Sequence, residues 1–209
     1  MEWNQMSPAQ IEARSMELIG AELGPTDLPP AQLAVVKRVI HTTADFDYAA
    51  NLWFSPGAAE RGLEALRGGC TIVTDTNMAL AGVSKASLQA LGGRAVCLMS
   101  DSEVAAEAAR RGVTRAVVSM EHACRLPGPL VFAIGNAPTA LLRLCQLAAQ
   151  GKVSPSLVIG APVGFVNVVE SKQTLERSGL PCIVARGRKG GSTVAAAVCN
   201  ALLYQLARP

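Results

Sequence analysis

From residue 70 onward the chain alternates short apolar runs with longer stretches in which apolar residues recur every three or four positions. The runs at 71–74, 95–98, 130–134, 157–159 and 182–185 are rich in Val, Ile, Leu and Ala, as strands buried on both faces are. Helical spacing fills 84–91, 103–111, 115–124, 138–150, 165–178 and 192–206. Strands alternating with helices predict an α/β protein of three layers, α/β/α, with a five-stranded, mainly parallel sheet and right-handed crossovers.

The first 69 residues read as helices. Ser7-Pro8-Ala9-Gln10 offers a cap, a proline at the first helical position and a glutamine three residues after the cap. Ile11, Met16, Leu18, Ile19 and Leu23 then form an apolar side, so 1–23 reads as an amphipathic helix rather than an export signal. A second helix starts after Pro29-Pro30, buries Leu33, Val36, Val39 and Ile40, and fades at the β-branched Thr42-Thr43. Ser55-Pro56 caps a third, which ends at Gly68-Gly69. With no repeat and no low-complexity linker, 1–209 reads as one domain.

Composition narrows this further. Half the residues are hydrophobic but only 4% are aromatic, so the core is aliphatic. Every long apolar stretch is interrupted by Asn, Pro, Gly or Gln, which argues against a membrane span. The six cysteines lie far apart with no CxxC, which excludes zinc spacing and fits packed, reduced thiols in the cytoplasm. Net charge is only +3, yet from Arg143 onward eight Lys/Arg face Glu170 and Glu176 alone. No basic run is interleaved with aromatics, so nucleic acid is not the partner, whereas a smaller anion is compatible.

In an open parallel sheet, ligands bind beyond the carboxyl ends of the strands. The segments there are TDTNM (74–78), SDSE (100–103), IGNAPTAL (134–141), IGAPVGFVNVVESK (159–172) and ARGRKGGST (185–193). The last is the most suggestive, because Gly190-Gly191 free the backbone, Ser192 is placed to cap a helix, and Arg186, Arg188 and Lys189 add charge. It does not match a Walker A loop, and GAPVG does not match a dinucleotide fingerprint. His122, on a helix with Glu121 and Arg125, reads as a surface or packing residue. His41 ends a helix, and an imidazole both donates and accepts protons near neutral pH. Asp45 would reach it if the helix continued another turn.

Six blocks carry a resemblance: IEARSMELI (11–19), RVIHTTADFDY (38–48), TDTNM (74–78), GNAPTAL (135–141), GAPVGFVNVVESK (160–172) and RGRKGGS (186–192). In this order, from the first helix to the last, they resemble the precorrin-8X methylmutase family, including the cobalt-precorrin-8 methylmutases of corrin (vitamin B12) biosynthesis. The resemblance implies a flavodoxin-like fold with N-terminal helices, and a homodimer with its active site near the subunit interface. It also implies an isomerase reaction without an external methyl donor. A methyl group moves from C-11 to C-12 of the macrocycle, giving hydrogenobyrinate, or cobyrinate from the cobalt form. The family's catalytic histidine falls on His41, and Ser15 matches a substrate-binding position with Arg14 beside it. No cofactor is implied, since any cobalt arrives inside the substrate. The TTADFDY that follows His41 differs from other branches of the family and leans toward the cobalt substrate.

A corrin precursor carries several carboxylates on a bulky ring, which makes Arg186, Arg188 and Lys189 candidates for carboxylate binding. Asn136 and the amides of Gly190 and Gly191 are candidate donors, and Thr42 and Thr43 candidates for orienting the imidazole or lining the pocket. Lys172 has two readings, a further residue of this carboxylate-binding set or an ordinary solvated lysine on its helix. Two other readings compete: a tetrapyrrole carrier without catalysis, and an unrelated flavodoxin-like enzyme holding a phosphorylated ligand at RGRKGGST.

Overall fold

The structure is a computed structural model and describes residues 6–208. A helical N-terminal part, α1 (Pro8–Leu23), α2 (Pro30–Thr43) and α3 (Tyr48–Asn51), leads into β1 (Leu52–Phe54) and α4 (Ala58–Arg67). There follow β2 (Thr71–Thr74), α5 (Asn77–Gly82), α6 (Lys85–Ala90), β3 (Arg94–Val96), α7 (Ser102–Arg111) and α8 (Arg115–Ala123). The chain closes with β4 (Leu130–Ile134), α9 (Pro138–Ala149), β5 (Leu157–Gly160), α10 (Val168–Arg177), β6 (Cys182–Ala185) and α11 (Ser192–Leu203).

The sheet has six strands rather than five, in the order β1-β6-β5-β4-β2-β3. The five expected strands are parallel to one another, and the sixth, β1, lies antiparallel on the β6 edge. Leu52–Phe54 is too short for a period and follows a helix without a turn signal, so nothing local marks it as a strand. The parallel strands alone run β3-β2-β4-β5-β6, the flavodoxin-like order, and the chain reverses direction across the sheet between β2 and β4.

Alternate strand residues feed two cores. Ile72, Val131, Ala133, Ile159 and Ile183 pack with α2, α4 and α11 on one face. Val73, Phe132, Ile134, Val158 and Val184 pack with α8, α9 and α10 on the other. The α11 sequence is apolar almost all round because it is buried between the sheet and α2.

The N-terminus of α1 is held by the expected capping box, Ser7 with Gln10. The helix lies on α2, and while Ile19 and Leu23 reach the core, Ile11 and Leu18 remain half exposed. Residues 1–5 of the expected helix lie outside the described residues. Ser55 does not cap α4: Gly57, at φ 71°, takes that position. The Ser55 hydroxyl instead accepts the Cys182 amide at 2.8 Å, fixing the chain to the edge of β6. No helix among the described residues is long and apolar enough to cross a membrane.

Candidate active site at the strand carboxyl ends

The reversal between β2 and β4 is filled by one side chain. Asp75 follows β2 directly, is fully buried, and accepts the amides of Gly135 (2.8 Å), Asn136 (2.8 Å) and Ala137 (2.7 Å). Since α9 has no side-chain cap of its own, Asp75 serves as its cap from the neighbouring strand. Burial pushes its carboxyl up, and the three amides pull it back. An internal carboxylate thus occupies the place where flavodoxin-like folds receive a phosphate, which disfavours the phosphorylated-ligand reading. Asn136 keeps its side chain exposed at this end of the sheet.

Next to it, Ser192 does not cap α11. Gly191 holds that position, and the Ser192 hydroxyl meets that of Thr76 at 2.7 Å. This contact ties the start of α11 to the end of β2. A side chain on Gly135 would come within 2.7 Å of Ser192 Cα, so the GNAP turn and the RGRKGGS turn pack backbone to backbone.

The RGRKGGS turn is anchored on all sides. Gly187 (φ 75°) and Gly191 (φ 127°) take backbone angles that favour glycine. The Arg186 amide bonds Asn51 O at 2.8 Å, Gly164 N bonds Arg188 O at 3.2 Å, and Gly191 N bonds Ala161 O at 2.8 Å. The Gly191 amide, expected to face a ligand, therefore faces the neighbouring strand end. Gly190 lies so close to Ala161 O that a Cβ would stand 2.2 Å away.

The three basic side chains of this turn differ in availability. Arg186 forms a two-pronged pair with Glu176 (3.0 and 3.0 Å) and stacks over Trp53, so its charge is already matched. Lys189 reaches across to the end of α2, with Nζ 2.6 Å from both Asp45 and Asp47. Arg188 lies over the Phe165 ring at 5.4 Å, with no carboxylate partner among the described residues.

Those Lys189 contacts bring the histidine segment to this end of the molecule. His41 is in the last turn of α2 and exposed. Ala44, at φ 53°, ends the helix one residue after Thr43, so Asp45 turns toward Lys189 instead of His41. Lys189 holds the Asp45 carboxyl below the usual range. Thr42 and Thr43 donate their hydroxyls to Arg38 O (2.9 Å) and Val39 O (2.8 Å) of their own helix, and among the described residues no hydrogen bond reaches the His41 ring. Ser15 donates to Ile11 O at 2.8 Å and Arg14 pairs with Glu17 at 3.0 Å, both within α1. From α1 it is Glu12 that comes near: it pairs with Arg38, which holds its carboxyl down, and His41 lies close enough to add to that field.

The rim of this end is apolar. The expected helix at 165–178 begins only at Val168, because Asn167 takes φ 57° and the chain before it forms a loop. Phe165 is consequently 82% exposed and Val166 77%, with Met78 on the β2 side at 66%. Pro162 and Gly164 were the signal for a loop here. Lys172 is not solvated. It is 1% exposed, and its Nζ donates to Gly187 O and Lys189 O at 2.8 Å each.

Other features lie elsewhere. A cavity of about 520 Å³ sits between the C-terminal halves of α9 and α10, which run back to the opposite end of the strands, and it contains none of these residues. His122 meets Glu107 at 2.8 Å in an ionic network with Arg111, Glu121 and Arg143. All six cysteines are unpaired, and burial pushes the Cys199 thiol up to about 12.

The fold is that of a doubly wound α/β protein, whose strand carboxyl ends carry an exposed apolar rim and, at Arg188, a guanidinium with no carboxylate partner among the described residues. Comparison with known proteins specifies it. Residues 10–205 match the family model described as precorrin-8X methylmutase. The chain is 45% identical to the cobalt-precorrin-8 methylmutase of Priestia megaterium, over 94% of this chain and 88% of that one. It is 39% identical to the precorrin-8X methylmutase of Pseudomonas aeruginosa, over 92% and 93% respectively. The crystal structure of precorrin-8x methyl mutase from Thermus thermophilus superposes with a TM-score of 0.86 at 42% identity, covering 93% of this chain and 94% of that one. The chain belongs to the precorrin-8X methylmutase family, the methyl-shifting isomerases of cobalamin biosynthesis.

Proposed function

We propose that this chain moves the methyl group of precorrin-8 from C-11 to C-12, within one substrate molecule and without a methyl donor. His41 protonates or hydrogen-bonds a ring nitrogen near the migration site, which makes the accepting carbon electron-poor, and takes the proton back afterwards. The rest of the site holds a bulky ring in one geometry. Arg188 and Asn136 meet its carboxylates and carbonyls, Lys189 holds the His41 segment through Asp45 and Asp47, Phe165 and Val166 meet its apolar face, and Ser15, Arg14, Thr42 and Thr43 line the approach from the helical side. Gly190 and Gly191 let the turn come close.

The observation that carries this reading is the pairing of Lys189 with Asp45 and Asp47, which sets the His41 helix end against the basic turn. The substrate is taken in its cobalt form, in line with the names of several relatives, and cobalt enters with the substrate. We place the protein in the cytoplasm as a homodimer. The six unpaired cysteines support the first and the outward-facing Ile11 and Leu18 the second.

Absorption spectroscopy tests the reaction, since moving the methyl group rearranges the ring conjugation. Purified protein should shift the spectrum of cobalt-precorrin-8 faster than that of the metal-free compound, and excess phosphate should not slow it. Binding without a spectral change would favour the carrier, and competition by phosphate the other ligand class.

A further inference from the structure

Lys172 is a buried charge that this reaction does not use. It projects from α10, where a neighbouring carboxylate would be the usual partner for a buried ammonium. Its acceptors are instead two main-chain carbonyls, Gly187 O and Lys189 O, on either side of Arg188. The Arg188 carbonyl between them accepts from Gly164, in the loop that carries Phe165. The turn is therefore held from two sides at three consecutive carbonyls. Its glycines give it no stiffness of its own, so the position of Arg188 depends on these contacts. The lysine stem fills the core with methylenes while its head binds the turn, so one residue joins the packing of α10 to the ligand face.

We propose that Lys172 is a positioning residue for substrate capture: its ammonium fixes the carbonyls flanking Arg188, so that Arg188 stands ready for the substrate's carboxylates and Lys189 for the His41 segment. This rests on the reading of the site given above. Burial draws the Lys172 ammonium down to about 8, so at neutral pH it still carries the proton that strengthens both bonds.

The test is Lys172→Met, which keeps the stem and removes the donors. With cobalt-precorrin-8 the variant should raise KM by about tenfold or more while kcat stays within about threefold of wild type, the signature of lost uniform binding. In hydrogen–deuterium exchange without substrate, the amides of Gly164 and Gly191 should exchange about tenfold faster, and that of Val184 in β6 unchanged. Unchanged exchange at Gly164 and Gly191, or a loss confined to kcat, would overturn the proposal. Should Lys172→Met not fold, Lys172→Gln gives the same comparison, with an N–H donor that restores part of the protection. Because exchange needs no substrate, a wild-type protein inactive on precorrin-8 would sink the proposed reaction while the positioning role is still decided.

Discussion

Asp75 and His41 show how differently single residues disclose themselves. Asp75 lies in TDTNM among small polar residues, and nothing in its neighbourhood announces that it caps a helix 60 positions later through the Gly135 amide. Only the strand order makes that contact. Replacing it with Asn leaves one acceptor oxygen and turns an amide group toward N–H donors. Asp75→Asn should destabilise the protein by about 1–3 kcal/mol in urea titration, the cost of a buried donor left unpaired. Only the family resemblance of its segment singles out His41, because a lone histidine at a helix end carries no distinguishing pattern. Asp45 was placed four residues from it on the assumption of a continuing helix, and the left-handed turn at Ala44 sent it to Lys189. Nothing in the sequence around Lys172 separates a solvated lysine from a buried one, and its burial is decided by the turn that folds over it.

At the scale of elements, the buried strands were the most legible part. Thr71–Thr74, Leu130–Ile134 and Cys182–Ala185 have the bounds their apolar runs predicted, because a strand covered on both faces has to be apolar throughout. Edge strand β1 and short helix α5 escaped notice, one lacking length and the other standing where a turn was expected. The ligand-side turns depend on close backbone approach, which makes their glycines testable. A Cβ at Gly135 would meet Ser192 Cα at 2.7 Å, and one at Gly190 would meet Ala161 O at 2.2 Å, backbone in both cases. Gly135→Ala and Gly190→Ala should each force the β4 and β5 ends away from α11 and cost about 1–3 kcal/mol of stability. Gly92→Ala, which meets nothing, is the control for backbone strain at a positive φ. Thermal unfolding of the three variants ranks them.

For the whole molecule, the candidate site is assembled from segments distant in sequence: 41–47, 75–78, 135–137, 161–167 and 186–192. The fold class followed from periodicity, and the meeting of those segments from topology alone. The buried Lys172 should also mark the stability of the entire chain. Its folded value of about 8 lies below the ordinary 10.5, so the unfolded chain binds the extra proton between the two. Lys172 thus makes stability rise with pH across that window, as its charge is no longer buried. In the difference between wild type and Lys172→Met, urea titrations at pH 7 and pH 10 should show wild type gaining relative to the variant at the higher pH. Light scattering should give twice the chain mass for the proposed dimer.

The central claim is that His41 moves the proton at this end of the sheet while other residues hold the ring. It is tested most directly by His41→Ala and wild type loaded with equal amounts of bound cobalt-precorrin-8 and followed by absorption in a single turnover. The wild-type spectrum should shift to that of the rearranged ring, whereas the variant should bind the macrocycle and leave its spectrum unchanged. A variant that completes the shift at a near-normal rate would contradict it.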